Sequence, residues 1–179
     1  VTNVTCNGLN NGSIDLTVTG GTPPAAYLWS NGQTTQDIAN LAPGTYTVTV
    51  TDAAGFTSSK SFTITQPPAL VATATKTDIL CHGNSTGSID VTVNGGTPGY
   101  TYIWSNGATT QDISGLAAGT YTVTVRDSKN CTTTVTETIV QPPLLTLTVV
   151  PTPVKCFGGN DGAVDLTVTG GTPAYTYAW

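Results

Sequence analysis

Apolar and polar residues alternate along several short stretches of this chain. Ile14, Leu16 and Val18 are separated by Asp and Thr, and residues 45–50 and 100–105 repeat the pattern with Tyr, Val and Trp. A period of two is typical of β-strands with one buried face and one face in water. Gly-Gly-Thr-Pro, Ser-Asn-Gly and Pro-Gly or Ala-Gly separate these stretches, and Asn-Gly suits a tight hairpin. The pattern predicts short strands packed as a β-sandwich.

The chain repeats itself every 75 residues, and residues 1–68 align with residues 76–143 without a gap. A fixed period of this kind predicts a tandem array of small domains. We place copy 1 at residues 1–68, with a truncated first strand, copy 2 at residues 69–143 and the first part of copy 3 at residues 144–179. The chain is therefore expected to be an internal piece of a longer array. The residues that share one phase are Cys6, Cys81 and Cys156, and Trp29, Trp104 and Trp179.

Proline pairs mark the predicted joints, because Gln-Pro-Pro stands at residues 66–68 and again at 141–143. Two consecutive prolines restrict the backbone, so each joint should be short and semi-rigid. The fold class that we predict is all-β, with tandem immunoglobulin-like sandwiches and an incomplete third copy. Residues 105–119 hold one strand more comfortably than the two of a full immunoglobulin layout, so the strand order stays open there.

Composition supports strands and excludes several classes of function. The chain is rich in Thr, Gly and Val, and only 8% of its residues are charged, which argues against helical bundles. With five Lys and Arg residues and a net charge of −5, it lacks the basic surface that nucleic acids or anionic membranes require. No apolar run is long enough to cross a bilayer. We expect neither nucleic-acid binding nor membrane insertion.

Candidate catalytic residues are few, and we expect no enzymatic activity. The single histidine, His82, is replaced by Asn7 and Phe157 in the other copies, which favours an exposed loop position. The Gly-x-Ser-x-Gly around Ser85 matches a hydrolase nucleophile motif, but that motif needs a strand-to-helix elbow and an acid–base pair. Convergent titratable groups, which an active site requires, are too scarce here.

Two aspartates end the predicted Tyr strands, Asp52 in copy 1 and Asp127 in copy 2. They would cap turns and keep the surface soluble. The alternative is calcium, which takes six to eight oxygen ligands. Because no dense Asp-x-Asp loop exists, such a site would have to be assembled across strands or at a joint. We expect no cofactor otherwise.

The aromatic residues are predicted to form the core of each copy. Trp29 and Trp104 lie on strands whose period points them inward, and Tyr46 and Tyr121 follow Leu-x-x-Gly-Thr as a tyrosine corner does. The alternative is a sugar-stacking platform on the Tyr-x-Trp strand, which would require exposed rings. Exposure of the two tryptophans separates these hypotheses.

Several motifs recur together in the copies: Cys-x-Gly-x-x-x-Gly, Gly-Gly-Thr-Pro, Tyr-x-Trp-Ser-Asn-Gly and, in copy 2, Leu-Ala-Ala-Gly-Thr-Tyr-Thr-Val-Thr-Val-Arg-Asp. This combination resembles the SprB-type repeat of Bacteroidota cell-surface proteins, an Ig-like module related in pattern to polycystic-kidney-disease domains. The resemblance covers essentially the whole chain. It implies an extracellular stalk of a large adhesin exported by the type IX system and used in gliding motility or surface attachment. The partners implied are neighbouring repeats and, through other parts of the protein, polysaccharide or a solid substratum.

Cysteines fit an oxidising compartment, and the resemblance implies a disulfide between Cys81 and Cys131 inside copy 2. Copy 1 has Phe56 where copy 2 has Cys131, and we expect Phe56 to fill the corresponding space as a packed apolar side chain. One alternative stays open. If the number of intervening strands is odd, Cys81 and Cys131 lie at opposite ends of copy 2, and Cys131 would meet Cys6 across the joint.

Overall fold

The computed structural model describes every residue from Val1 to Trp179 and is built from strands and turns. The alternation of apolar and polar residues gives thirteen strands, most of them four to eight residues long. The structure contains no helical segment that could span a bilayer. The strands are β1 (Gly12–Ile14), β2 (Ala26–Trp29), β3 (Ile38–Leu41), β4 (Gly44–Thr51), β5 (Thr57–Ile64), β6 (Val71–Thr77), β7 (Gly87–Asn94), β8 (Thr101–Trp104), β9 (Ile113–Leu116), β10 (Gly119–Arg126), β11 (Thr132–Ile139), β12 (Thr146–Thr152) and β13 (Ala163–Thr169).

Each of the first two copies forms a pair of sheets. Copy 1 has the sheets β1-β3 and β2-β4-β5, copy 2 has β6-β7-β9 and β8-β10-β11, and copy 3 contributes β12-β13. No sheet continues through either Gln-Pro-Pro segment. The stretch whose strand order was open contains one strand, β9, which pairs with β7. The prediction of an all-β array of Ig-like sandwiches is confirmed.

The core of copy 1 lies between its two sheets. β1 and β3 contribute Ile14 and Leu41 from one side, and β2, β4 and β5 contribute Trp29, Val48 and Ile64 from the other, all at 3% exposure or less. Alternate residues of each strand face inward because the side-chain period is two. Copy 2 buries the equivalent residues Ile89, Leu116, Trp104, Val123 and Ile139.

Threonine and serine hydroxyls form a ladder along the outer face of the β4–β5 pair. The cross-strand oxygen separations are 3.4 Å for Thr45 and Thr63, 2.7 Å for Thr47 and Ser61, and 3.0 Å for Thr49 and Ser59. In copy 2, Thr122 and Thr136 make the same contact at 2.8 Å. Such pairs stabilise antiparallel strands without charge, which explains how a sheet rich in threonine remains ordered.

By its contacts the chain divides into two compact units. The first combines Val1–Ala72 with Val93–Thr101 and Thr124–Thr133, and the second combines Thr73–Thr92, Tyr102–Val123 and Thr134–Trp179. The first unit therefore contains copy 1 and the two loops of copy 2 that lie at the first joint.

Candidate functional site: the joint between copies 1 and 2

The Cys-x-Gly turn of copy 1 packs on the Gln-Pro-Pro segment that ends the same copy. The Gly8 amide donates to Oε1 of Gln66 at 2.8 Å, and Nδ2 of Asn7 donates to the carbonyl of Pro67 at 3.1 Å. Gly8 has a φ of +80°, a left-handed value that favours glycine. Cys6 is consequently held at the end of copy 1 from which the chain leaves.

The hairpin between β10 and β11 presents Cys131 at the same joint. Asp127, only 3% exposed, accepts the Thr97 amide on Oδ2 at 2.8 Å and the Lys129 and Cys131 amides on Oδ1 at 2.9 Å each. The bond from Thr97 ties this hairpin to the Gly-Gly-Thr-Pro loop of copy 2, and the other two close the hairpin turn itself. Asn130 completes the turn with a φ of +67°, a conformation that Asn tolerates better than most residues.

A disulfide joins Cys6 to Cys131, with a Cα separation of 5.6 Å. The pairing of Cys81 with Cys131 is therefore wrong, and the alternative across the joint is the one that the fold adopts. Cys81 is an exposed free cysteine, as is Cys156.

Strand length explains why Cys81 cannot reach Cys131. The turn of Cys81 contacts the end of copy 2, because the Gly83 amide donates to Oε1 of Gln141 at 2.9 Å. Cys131 directly precedes the eight-residue β11, which leads to that end. Eight residues of strand span about 27 Å, whereas a disulfide needs Cα atoms within about 7 Å.

The packing predicted for Phe56 is also wrong, because its side chain is 77% exposed. Phe56 stands at the position of Cys131, in a hairpin loop at the end of copy 1 rather than inside the sandwich. A residue at this position faces outward, where in copy 2 it meets the preceding copy. Copy 1 therefore has no cysteine there that could form the same bond.

Of the aromatic residues named from sequence, the two tryptophans lie inside the sandwiches and the two tyrosines are half-buried. Trp29 and Trp104 are 2% and 3% exposed, and each indole N–H donates at 2.9 Å to a backbone carbonyl, of Thr35 and Thr110 respectively. Tyr46 is half-buried, and its hydroxyl donates to the carbonyl of Ala42 at 3.0 Å. Tyr121 does the same to Ala117 at 3.1 Å. The rings of Trp29 and Trp104 are not accessible for stacking on a sugar.

A family model described as SprB repeat matches residues 1–34, 73–109 and 148–179, more than half of the chain. This chain belongs to the SprB repeat family. Each match covers one Cys-x-Gly turn and one Trp of the 75-residue phase, so the family's unit recurs once in each copy. The resemblance stated from the motifs is confirmed. No curated protein matches the chain at a significant level.

Solved structures similar to these SprB repeats include two whose titles are "Structural basis for Dscam isoform specificity" and "Structure of amphioxus IgVJ-C2 molecule". The first is 14% identical with a TM-score of 0.36, over 79% of this chain and 44% of that chain. The second is 15% identical with a TM-score of 0.35, over 73% of this chain and 97% of that chain. The chain thus spans less than half of the first structure. Neither likeness carries information on function.

Backbone amides surround the aspartates that were considered for calcium. The oxygens of Asp127 accept three amides, and Asp52 likewise accepts the Thr22, Ala54 and Phe56 amides at 2.9–3.0 Å. No group of three or more His, Cys, Asp or Glu side chains converges anywhere in the chain. The amide hydrogen bonds give both carboxylates a structural role as caps of their hairpin turns.

The same amides lower the pKa of both carboxyl groups. The Thr22 and Phe56 amides lower the pKa of Asp52. For Asp127, burial opposes ionisation, but the amides of Thr97, Cys131 and Lys129 outweigh it and its pKa is lowered. Each aspartate therefore clamps its hairpin most firmly when it is ionised.

We expect Asp127→Asn to weaken copy 2 at neutral pH and to remove part of its acid sensitivity. Because the folded pKa of Asp127 is below the unfolded value of about 3.9, its contribution is complete above that pH and disappears as the pH falls toward the folded value. Urea midpoints at pH 7 and at successive values below pH 4 would measure this. The exposed Asp90→Asn serves as control. A constant difference between wild type and Asp127→Asn at all these pH values would contradict the assignment.

The two motifs excluded as catalytic lie on the surface. Ser85 is exposed in the turn before β7, and Nδ1 of His82 lies 3.0 Å from the carbonyl of Pro142. Asn7 makes the equivalent contact to Pro67 in copy 1. His82 and Asn7 therefore have the same role, because each contacts the Gln-Pro-Pro segment that ends its own copy.

Sequence reasoning missed the function of the Gln-Pro-Pro segment and of Gly-Gly-Thr-Pro. The first anchors the Cys-x-Gly turn, with a spacing of 58 residues between the bonded Gly and Gln in both copies. That constant spacing was a usable signal. The Gly-Gly-Thr-Pro loop of copy 2 contacts the linker that enters this copy, because the Gly96 amide donates to the carbonyl of Pro68 at 3.0 Å.

Proposed function

We propose that this chain is a stalk segment of a large bacterial cell-surface adhesin, exported through the type IX system of Bacteroidota and used for gliding or surface attachment. The observation that carries the proposal is the disulfide across the first joint. A covalent bond between consecutive domains serves a protein that must hold its shape while it bears load. An oxidising extracellular location is consistent with such a bond.

The outer surface supports a spacer rather than a binding module. Threonine and serine hydroxyls pair along the outer faces of β4–β5 and β10–β11, and the chain carries only fifteen charged residues in total. Both tryptophans of the complete copies donate their N–H groups within the fold. The partners of this segment are therefore neighbouring repeats of the same chain, and contact with polysaccharide or a solid substratum belongs to other parts of the adhesin.

Surface labelling and an in-frame deletion test the proposal. Antibodies raised against this chain should label intact cells without permeabilisation. Deletion of residues 1–150, two periods of the array, should shorten the surface filament and reduce attachment while export continues. A matched variant that replaces these residues with two other copies of the same repeat should restore attachment. Labelling restricted to permeabilised cells, or failure of the replacement, would contradict a stalk.

A further inference from the structure

Cys131 has nearer cysteines along the chain than the one to which it is bonded. Cys156 lies 25 residues away and Cys81 lies 50 residues away, whereas Cys6 is separated from Cys131 by 125 residues. In an unfolded chain the entropy of loop closure disfavours the longest loop. Cys131 would then meet Cys81 about four times as often as it meets Cys6, and Cys156 about eleven times as often. Contacts of the folded chain therefore have to account for the observed pair.

The turn that carries Cys6 is held by side chains that do not contact its sulfur. Oε1 of Gln66 accepts the Gly8 amide at 2.8 Å, and Nδ2 of Asn7 donates to the carbonyl of Pro67 at 3.1 Å. Gln66 itself is exposed, so its side chain belongs to no core and its contact serves to fix the turn. These bonds place Cys6 at the joint whether or not it is oxidised.

Cys131 is held at the same joint by its own hairpin. Its amide donates to Oδ1 of Asp127 at 2.9 Å. The Cys131 sulfur lies 3.5 Å from the carbonyl oxygen of Thr5, the residue before Cys6. Both cysteines are half-buried rather than enclosed, so a small disulfide reagent can reach them. The docked joint thus brings two reactive sulfurs together.

The equivalent contact in copy 2 holds Cys81 elsewhere. The Gly83 amide donates to Oε1 of Gln141 at 2.9 Å, which fixes the turn of Cys81 at the end of copy 2 that is remote from Cys131. One type of glutamine contact therefore brings Cys6 to Cys131 and keeps the nearer Cys81 away from it.

We propose that Gln66 is a positioning residue for oxidation, which directs Cys131 to Cys6 rather than to the nearer cysteines. The joint docks first and the disulfide then locks it. With oxidised glutathione, one cysteine thiolate forms a mixed disulfide and releases one glutathione thiolate, and the other cysteine thiolate attacks that mixed disulfide and releases the second. Two cysteine thiols are oxidised, one glutathione disulfide is reduced, and the two cysteine protons pass to the released glutathione.

Gln66→Ala tests the proposal in the full chain. The reduced protein is equilibrated with reduced and oxidised glutathione, and peptide maps without reductant give the equilibrium constant for the bond between Cys6 and Cys131. We expect that constant to fall about threefold or more, because one hydrogen bond that favours the docked turn is lost. The share of Cys131 bonded to other cysteines should rise. Gln66→Glu keeps an oxygen acceptor for the Gly8 amide and should restore both values.

Gln141→Ala removes the same contact in copy 2 and is the matched control, which should leave the bond between Cys6 and Cys131 unchanged. The circular dichroism of reduced Gln66→Ala should match that of the reduced wild type. Oxidation in concentrated guanidinium chloride should favour the pair of Cys131 and Cys156, which closes the shortest loop. An unchanged constant or a lost fold in Gln66→Ala, an equal loss in Gln141→Ala, or a dominant pair of Cys6 and Cys131 in the denatured chain would overturn the proposal.

Discussion

Pulled by its two ends, the oxidised chain should not extend between Cys6 and Cys131. The disulfide closes a loop with a sequence separation of 125 residues, and force applied at the ends passes through the bond rather than through that loop. Reduction should add roughly 400 Å of contour length, since an extended chain spans at most about 3.3–3.6 Å per residue. Single-molecule force spectroscopy with and without a reductant measures the difference directly.

Two cysteine variants serve as controls for the disulfide. Cys131→Ser should behave in the absence of reductant as the reduced wild type does, whereas Cys81→Ser should be indistinguishable from the oxidised wild type, because Cys81 is free. Alkylation before reduction should label Cys81 and Cys156 only. Full extension of the oxidised chain, or alkylation of Cys6 or Cys131 before reduction, would disprove the disulfide.

Trp104→Ala should unfold copy 2 or bring it close to unfolding. The ring is buried between the sheets, and its loss leaves a large cavity at a cost of about 3–5 kcal/mol. The carbonyl of Thr110 also loses its donor. That total is comparable to the free energy of unfolding of a small domain, about 5–15 kcal/mol. Chemical denaturation followed by circular dichroism would measure it.

The matched control lies on the same strand. Ile103 precedes Trp104 but points outward and is 64% exposed, so Ile103→Ala should change the free energy of unfolding by less than about 0.5 kcal/mol. Trp29→Ala should repeat the large effect in copy 1. A small loss for Trp104→Ala together with weakened polysaccharide binding would favour a surface platform over a core residue.

The sequence alone determined the strands, the core and the family. Ile14, Leu16 and Trp29 occupy alternate positions of short stretches, and that period leaves one arrangement of inward and outward faces. Because the pattern recurs every 75 residues, each position can be compared in two or three copies within one chain. The single strand between residues 105 and 119 was foreseen as the better fit, since loop length limits what can be placed there.

Only the tertiary structure decided which cysteines form a disulfide and which segment the Gly-Gly-Thr-Pro loop contacts. Strand length places Cys81 and Cys131 at opposite ends of copy 2, and the Gln66 contact places Cys6 at the joint. The spacing of the cysteines along the chain does not reveal these positions. The end of a sandwich at which a turn lies depends on the number and direction of all the strands before it. Local periodicity fixes which way a side chain faces, whereas contacts between copies depend on how whole sheets are stacked.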